Sequence, residues 1–248
     1  MRTVLIVLAA FLTLYLAMVA ALYFAQRSFI FLPTHHAADN GLELWRDAQG
    51  DWLGYTRPAA QPRAVWLMVH GNAGQAADRG YAARRVSPKD AFYVLEYPGY
   101  GLRPGNPSRE AFDEAAAEAY QKLRTRHPGI PICVLGESIG SGPASTLARQ
   151  SVPPDKIVLV VPFDTLAAIA ARQMPFIPVR WILRDAWDNR ESLRDYRGPV
   201  EIFAAIEDRV LPFEHAERLA KSLPRSKFIP ILGGHNDWSA QDKVRLEP

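Results

Sequence analysis

Cysteine is nearly absent: a single residue, Cys133, stands among 248. A lone cysteine forms no internal disulfide; this one sits mid-strand among apolar residues, reads as core, and leaves the redox compartment open. Charge is also close to balance, with a formal net charge of +3 and a pI near 9.0. The arginines are scattered rather than gathered into a stripe with interleaved aromatics, which speaks against a nucleic-acid partner. Metal-ligand spacing is missing too. His35-His36 are adjacent in a loop without a nearby third ligand, so they are expected to be solvated, with no metal bound. No internal repeat or low-complexity segment occurs. What is present is apolar: 48% hydrophobic residues exclude disorder, and the length suits one α/β domain with small appendages.

The N-terminus departs from a soluble pattern. Residues 4–24 are apolar apart from Thr13 and Tyr15, and as a helix they span about 30 Å, the thickness of a bilayer's hydrocarbon core. A signal peptide has an apolar region of only about 7–15 residues and a small-residue cleavage site. Here the run is longer and its exit, Leu22-Tyr23-Phe24-Ala25-Gln26, lacks an A-x-A. Residues 1–25 therefore read as an uncleaved membrane anchor and residues 26–248 as the folded domain. Arg2 and the α-amino group on one side nearly balance Arg27 on the other. The lack of further charge until Asp39 tips the expectation toward a domain outside the cytoplasm. Phe29, Ile30, Phe31 and Leu32 could lie at headgroup depth or pack on the domain.

Beyond the anchor, alternating residues in 41–45 and 52–55 predict a leading hairpin. Continuous apolar runs at 64–69, 91–97, 132–135, 156–161, 200–205 and 227–231 predict strands buried on both faces. Helix-length segments separate them, including 78–86 and a helix to about Arg126 that Ser108 can cap. Strands alternating with helices mean a mostly parallel, doubly covered sheet, an α/β fold. Residues 163–197 are too long for a simple crossover. With Met174-Pro175-Phe176-Ile177-Pro178 and tryptophans at 181 and 187, they read as a small helical lid over the site, against ordinary packing of those aromatics on the body.

The chemistry centres on Gly136-Glu137-Ser138-Ile139-Gly140, which follows an apolar strand and leads into a small-residue helical segment. That is the context of a G-x-S-x-G nucleophile elbow, where the crowded turn requires glycine two residues before and two after the serine. Serine becomes a nucleophile only with a positioned base, and the base needs an acid to orient it. Later strands supply both in the order Ser, Asp, His: Asp208 follows the 200–205 strand and His235 the 227–231 strand. Four rivals stand beside them. His215 lies inside a helix beginning near Pro212 and should point away. Glu207 faces a different direction from its neighbour. Asp164, after the 156–161 strand, is the more serious alternative acid. His70 reads as a brace for its own loop. An oxyanion requires preorganised N–H donors, assigned to the backbone of Ile139 and of Asn72, with Ala73 the neighbour it could be confused with.

His70-Gly71-Asn72-Ala73-Gly74, Tyr97-Pro98-Gly99-Tyr100-Gly101, the Ser138 elbow, the Asp208 loop and Gly234-His235-Asn236-Asp237 together resemble the α/β-hydrolase superfamily. Within it the chain is similar to the Bem46-like, ABHD13-like branch of membrane-anchored serine hydrolases, over roughly residues 26–237. Two features depart from the branch: Leu102-Arg103-Pro104 follows the GYG turn where many relatives have serine, and the closing segment is short and polar. The resemblance implies a Ser138, Asp208, His235 triad. Motifs and resemblance lead to a serine hydrolase that cleaves an ester, thioester or amide bond through an acyl-enzyme. Carboxylesterase chemistry on a small-molecule or lipid-like acyl substrate is preferred by analogy. No metal or organic cofactor is required. The contrasting expectation is a non-catalytic, membrane-tethered binding or scaffold protein on the same fold, which would not need all three groups.

Overall fold

The computed structural model of the chain describes residues 1–36 and 41–248. Eight strands follow in chain order: β1 (Glu43–Arg46), β2 (Trp52–Arg57), β3 (Val65–Val69), β4 (Ala91–Leu95), β5 (Ile132–Glu137), β6 (Lys156–Val160), β7 (Val200–Ala205) and β8 (Lys227–Ile231). They form one sheet in the order β1-β2-β4-β3-β5-β6-β7-β8. The pairings of β1 with β2 and of β2 with β4 are antiparallel; all later pairings are parallel. Alternation along the inner strands feeds two cores. Val65, Leu67 and Val69 enter one, while Trp66 and Met68 enter the other, so β3 is apolar at every position.

The helices are α1 (Arg2–Ile30), α2 (Gly80–Ala83), α3 (Arg109–Arg126), α4 (Ser141–Thr146), α5 (Leu166–Gln173), α6 (Val179–Ile182), α7 (Asn189–Leu193) and α8 (Phe213–Ser222). Ser108 caps α3 by accepting from the Ala111 N–H at 3.0 Å. Its buried face is Phe112, Ala115, Ala116, Ala119, Tyr120 and Leu123, the spacing of one helical stripe. The helix expected over 78–86 is shorter, a 3-10 turn at Ala76–Arg79 followed by the single turn of α2. Arg57, from distant β2, explains this. Its guanidinium donates to the carbonyls of Ala83, Val86, Ser87 and Asp90, holding the chain in a non-helical path.

Helix α1 is long and apolar enough to cross a membrane, with a mean hydropathy of 2.7 in its most apolar window. It runs unbroken past residue 25 to Ile30, and its one buried residue is Gln26. Beyond it Phe31 is 2% exposed and packs on the rings of Phe112 and Trp187, while Phe29 and Leu32 stay exposed. Of the two alternatives for this stretch, Phe31 and the half-buried Ile30 take the body, and Phe29 and Leu32 do not.

Candidate active site

Parallel strands end at a common edge, and the sheet order decides which loops meet there. β3 and β5 are adjacent at the point where the order reverses, with Val69 opposite Gly136. β7 and β8 are likewise paired up to Ala205 and Ile231. Their loops continue the pairing, Ile206 N–H donating to the Ile231 carbonyl and Glu207 N–H to the Gly233 carbonyl, both at 3.0 Å. The residues after β7 and after β8 are thereby held side by side.

At the end of β5 the chain turns on Ser138, whose φ of +52° is in the left-handed region. Such a backbone costs on the order of 1–3 kcal/mol in a residue other than glycine and persists only where its surroundings enforce it. They do so by close approach. A Cβ on Gly136 would lie 2.6 Å from the Ala144 Cβ, and one on Gly140 would collide with the carbonyl oxygens of Val69 and His70. The glycines admit the adjacent helix α4 and strand β3 against the turn.

The structure brings Ser138, His235 and Asp208 into one line. His235 Nε2 lies 2.9 Å from Ser138 Oγ, and His235 Nδ1 lies 2.7 Å from Asp208 Oδ2. Asp208 Oδ1 accepts from the N–H groups of Val210 and Leu211 at 2.9 and 2.8 Å, so the carboxylate is fixed by its own turn. Asp208 is buried and Glu207 exposed. The other rivals lie elsewhere. Asp164 and His215 pair with each other at 2.6 Å, and Asp164 also accepts from Arg218 at 2.8 Å. His70 is fully buried, with Nδ1 2.7 Å from the Gly71 carbonyl and Nε2 3.3 Å from Glu96. His35 and His36 are not merely solvated: they bond the Gly101 carbonyl and the Asp78 carboxylate at 2.7 and 2.9 Å. Among the described residues no group of three metal-ligating side chains occurs.

Asn72 and Ile139 share the cavity wall with Ser138. The Asn72 side chain is fully engaged: its Oδ1 accepts from Leu32 N–H and Tyr100 O–H, and its Nδ2 donates to the Ile30 carbonyl. That holds the loop after β3 in place and ties it to the end of α1. The backbone N–H of Asn72 has no acceptor among the described residues. Ile139 lies in the 3-10 turn Ser138–Gly140, where first-turn N–H groups lack an intrahelical partner.

Sequence reasoning missed Glu137. Its carboxylate accepts from Gly71 N–H at 3.0 Å, Tyr81 O–H at 2.7 Å and Trp238 Nε1–H at 2.7 Å. One side chain thus ties the elbow to the loop after β3 and to the loop carrying His235. Burial pushes the Glu137 carboxyl up, but the Arg79 charge and the three donors outweigh it and hold it below the ordinary range. A charged residue closing an otherwise apolar strand was the available signal. The closing segment, though short, is anchored: Trp238, Val244 and Leu246 are buried, and Leu246 N–H donates to the Arg85 carbonyl.

Above Ser138 lies an apolar cavity of about 380 Å³. Residues 163–197 supply much of its wall through Leu166 and Ile169 of α5, Met174 and Ile177 of the following turn, and Ile182 of α6. The tryptophans do not roof it. Trp187 is buried against Phe112 and donates to Asp113 at 2.8 Å, whereas Trp181 is 90% exposed.

No family model matches the chain. An uncharacterized protein of Mycobacterium tuberculosis is 33% identical over 187 residues, 73% of this chain and 66% of that protein. A Danio rerio protein named lysophosphatidylserine lipase ABHD12 is 29% identical over 216 residues, 77% of this chain and 55% of its own length. The chain thus spans less than two thirds of these relatives. Among solved structures, an esterase of Pyrococcus furiosus superposes with a TM-score of 0.64 at 12% identity, covering 84% of this chain and 95% of that one. A hydrolase from Pseudomonas aeruginosa gives 0.62 at 18% identity, covering 82% and 94%. The finer Bem46-like, ABHD13-like placement continues to rest on the motifs. The chain has the α/β-hydrolase fold.

Proposed function

We propose that this chain is a membrane-anchored serine hydrolase that cleaves the ester of an acyl amphiphile, in the manner of a carboxylesterase. The observation that carries the reading is the 2.9 and 2.7 Å relay from Ser138 through His235 to Asp208 on the floor of an apolar cavity. Ser138 Oγ attacks the acyl carbonyl while His235 Nε2 accepts its proton. Asp208 holds the Nδ1–H tautomer and stabilises the imidazolium. The developing oxyanion lies between the N–H groups of Asn72 and Ile139. His235 then returns the proton to the leaving group, and water attacking the acyl-Ser138 ester completes the cycle by the same route. A thioester or amide would follow the same steps.

Residues 1–25, the greater part of α1, are the anchor in this reading, residues 26–248 the hydrolase body and residues 163–197 its lid. The body is put outside the cytoplasm because Arg2 and the α-amino group have no ion-pair partner among the described residues at one end, whereas Arg27 is bound to Asp185. The lipase and esterase names of the relatives support ester chemistry, and the cavity lining supports an acyl chain. The test is hydrolysis of p-nitrophenyl esters of increasing acyl length by the full chain in detergent micelles. Turnover is expected to rise from acetate to longer chains, and Ser138→Ala to lower kcat by at least about 10³-fold. No hydrolysis at any length, or an unaffected Ser138→Ala variant, would overturn the reading.

A further inference from the structure

The cavity wall is shared between the lid and α1. Leu22, Gln26, Phe29 and Ile30 line it on one side, and Met174, Ile177 and Ile182 face them from the other. Residues 176–185 form a strap bonded along α1. Tyr15 O–H donates to the Phe176 carbonyl at 2.9 Å; Gln26 donates to the Ile182 carbonyl at 3.1 Å and accepts from Arg184 N–H at 2.7 Å. Arg27 closes the series on Asp185 at 2.9 Å. From Tyr15 to Arg27 the contact extends about 18 Å along the helix.

Membrane thickness converts this contact into a depth. If Arg2 marks the far boundary of the hydrocarbon, about 30 Å of helix ends near Leu22, the first α1 residue of the cavity wall. Tyr15, and the Phe176 carbonyl bonded to it, then lie about 10 Å inside the near leaflet. The turn is chemically suited to that depth. Its outward side chains, Phe176 and Trp181, are 86% and 90% exposed. Apolar surface on this scale, continuous with an apolar helix, marks a membrane contact. Pro175 and Pro178 have no N–H to satisfy, the N–H groups of Met174, Ile177, Val179 and Trp181 donate to the carbonyls of Ala170, Met174, Ile177 and Pro178, and within 174–179 Phe176 N–H is left without an acceptor among the described residues. Hydrocarbon tolerates backbone only when its polar groups are bonded internally. Arg184, stacked over Tyr23 at 5.6 Å, sits at headgroup level, and Arg180 can extend to it.

We propose that residues 174–181 form a second membrane-embedded element, docked in the hydrocarbon of the near leaflet beside α1. The occupant of the exposed Phe176 and Trp181 face is lipid acyl chain, and a membrane-resident amphiphile passes its own chain between this turn and α1 toward Ser138. The proposal rests on α1 being the anchor, which flotation of the full chain with phosphatidylcholine vesicles tests separately.

Depth is read with a fluorophore on Phe176→Cys in the full chain reconstituted in those vesicles. Burial pushes the Cys133 thiol up to about 12, so it does not compete for the label. The probe at 176 is expected to be quenched by lipids brominated on the acyl chain and shielded from aqueous iodide. A probe at Val152→Cys, exposed and at the opposite end of the sheet, should show the reverse. A chain that floats yet leaves position 176 open to iodide, or shielded from both quenchers as by a second copy, overturns the proposal without touching the hydrolase reading. In the activity arm, Phe176→Asp and Trp181→Asp are expected to keep hydrolysis of a soluble short-chain ester within twofold and to lower hydrolysis of a vesicle-embedded long-chain ester at least tenfold. Equal effects on the two substrates overturn passage from the leaflet.

Discussion

At the residue scale the site depends on side chains that never reach the reacting atoms. Ser138 keeps its left-handed backbone because Gly136 and Gly140 let the neighbouring strand and helix close on it. Glu137, next in line, holds three donors from three separate segments. Glu137→Leu leaves Gly71 N–H, Tyr81 O–H and Trp238 N–H buried without an acceptor, each costing about 1–3 kcal/mol. Urea unfolding of the variant should show a loss of several kcal/mol, and Glu137→Gln, which keeps one accepting oxygen, a smaller loss. A Leu variant within about 1 kcal/mol of the parent would remove Glu137 from this role.

Among the elements, Asp164, at the start of residues 163–197, joins that segment to α8. Burial pushes its carboxyl up, but hydrogen bonds from His215, Arg218 and the Thr165 N–H outweigh it and hold it well below the ordinary carboxylate range. A carboxyl depressed on folding adds stability above its unfolded value, about 3.9, and this is lost as pH falls toward the folded value. Asp164→Asn should therefore melt below the parent at neutral pH, and the gap should narrow below about pH 4. An equal gap at pH 7 and pH 3 would contradict the assignment. Elements differ in how far the sequence announces them. The inner strands were legible because both faces of each are buried and the apolar run is unbroken. The length of α2 was not, because the Ala83 carbonyl at its end, and those of Val86 and Ser87 beyond it, accept from Arg57 on a strand far away in sequence.

Across the whole molecule, strand order turns separate motifs into one site. The elbow, the acid loop and the base loop could be read in chain order. That β7 and β8 lie side by side, carrying Asp208 and His235 together, was implied only through the resemblance. The position of α1 was not legible at all, since nothing local to residues 15–27 says that they run along residues 176–185. Glu137 stayed hidden for the same reason: its partners come from distant loops. The proposed hydrolysis requires Ser138 as its nucleophile. The direct measurement is labelling of the folded full chain with a fluorophosphonate probe, the adduct being mapped by mass spectrometry. A single adduct on Ser138, absent in Ser138→Ala and lost in His235→Ala, is the predicted result; a folded chain that takes no label, or that labels equally after Ser138→Ala, would contradict it.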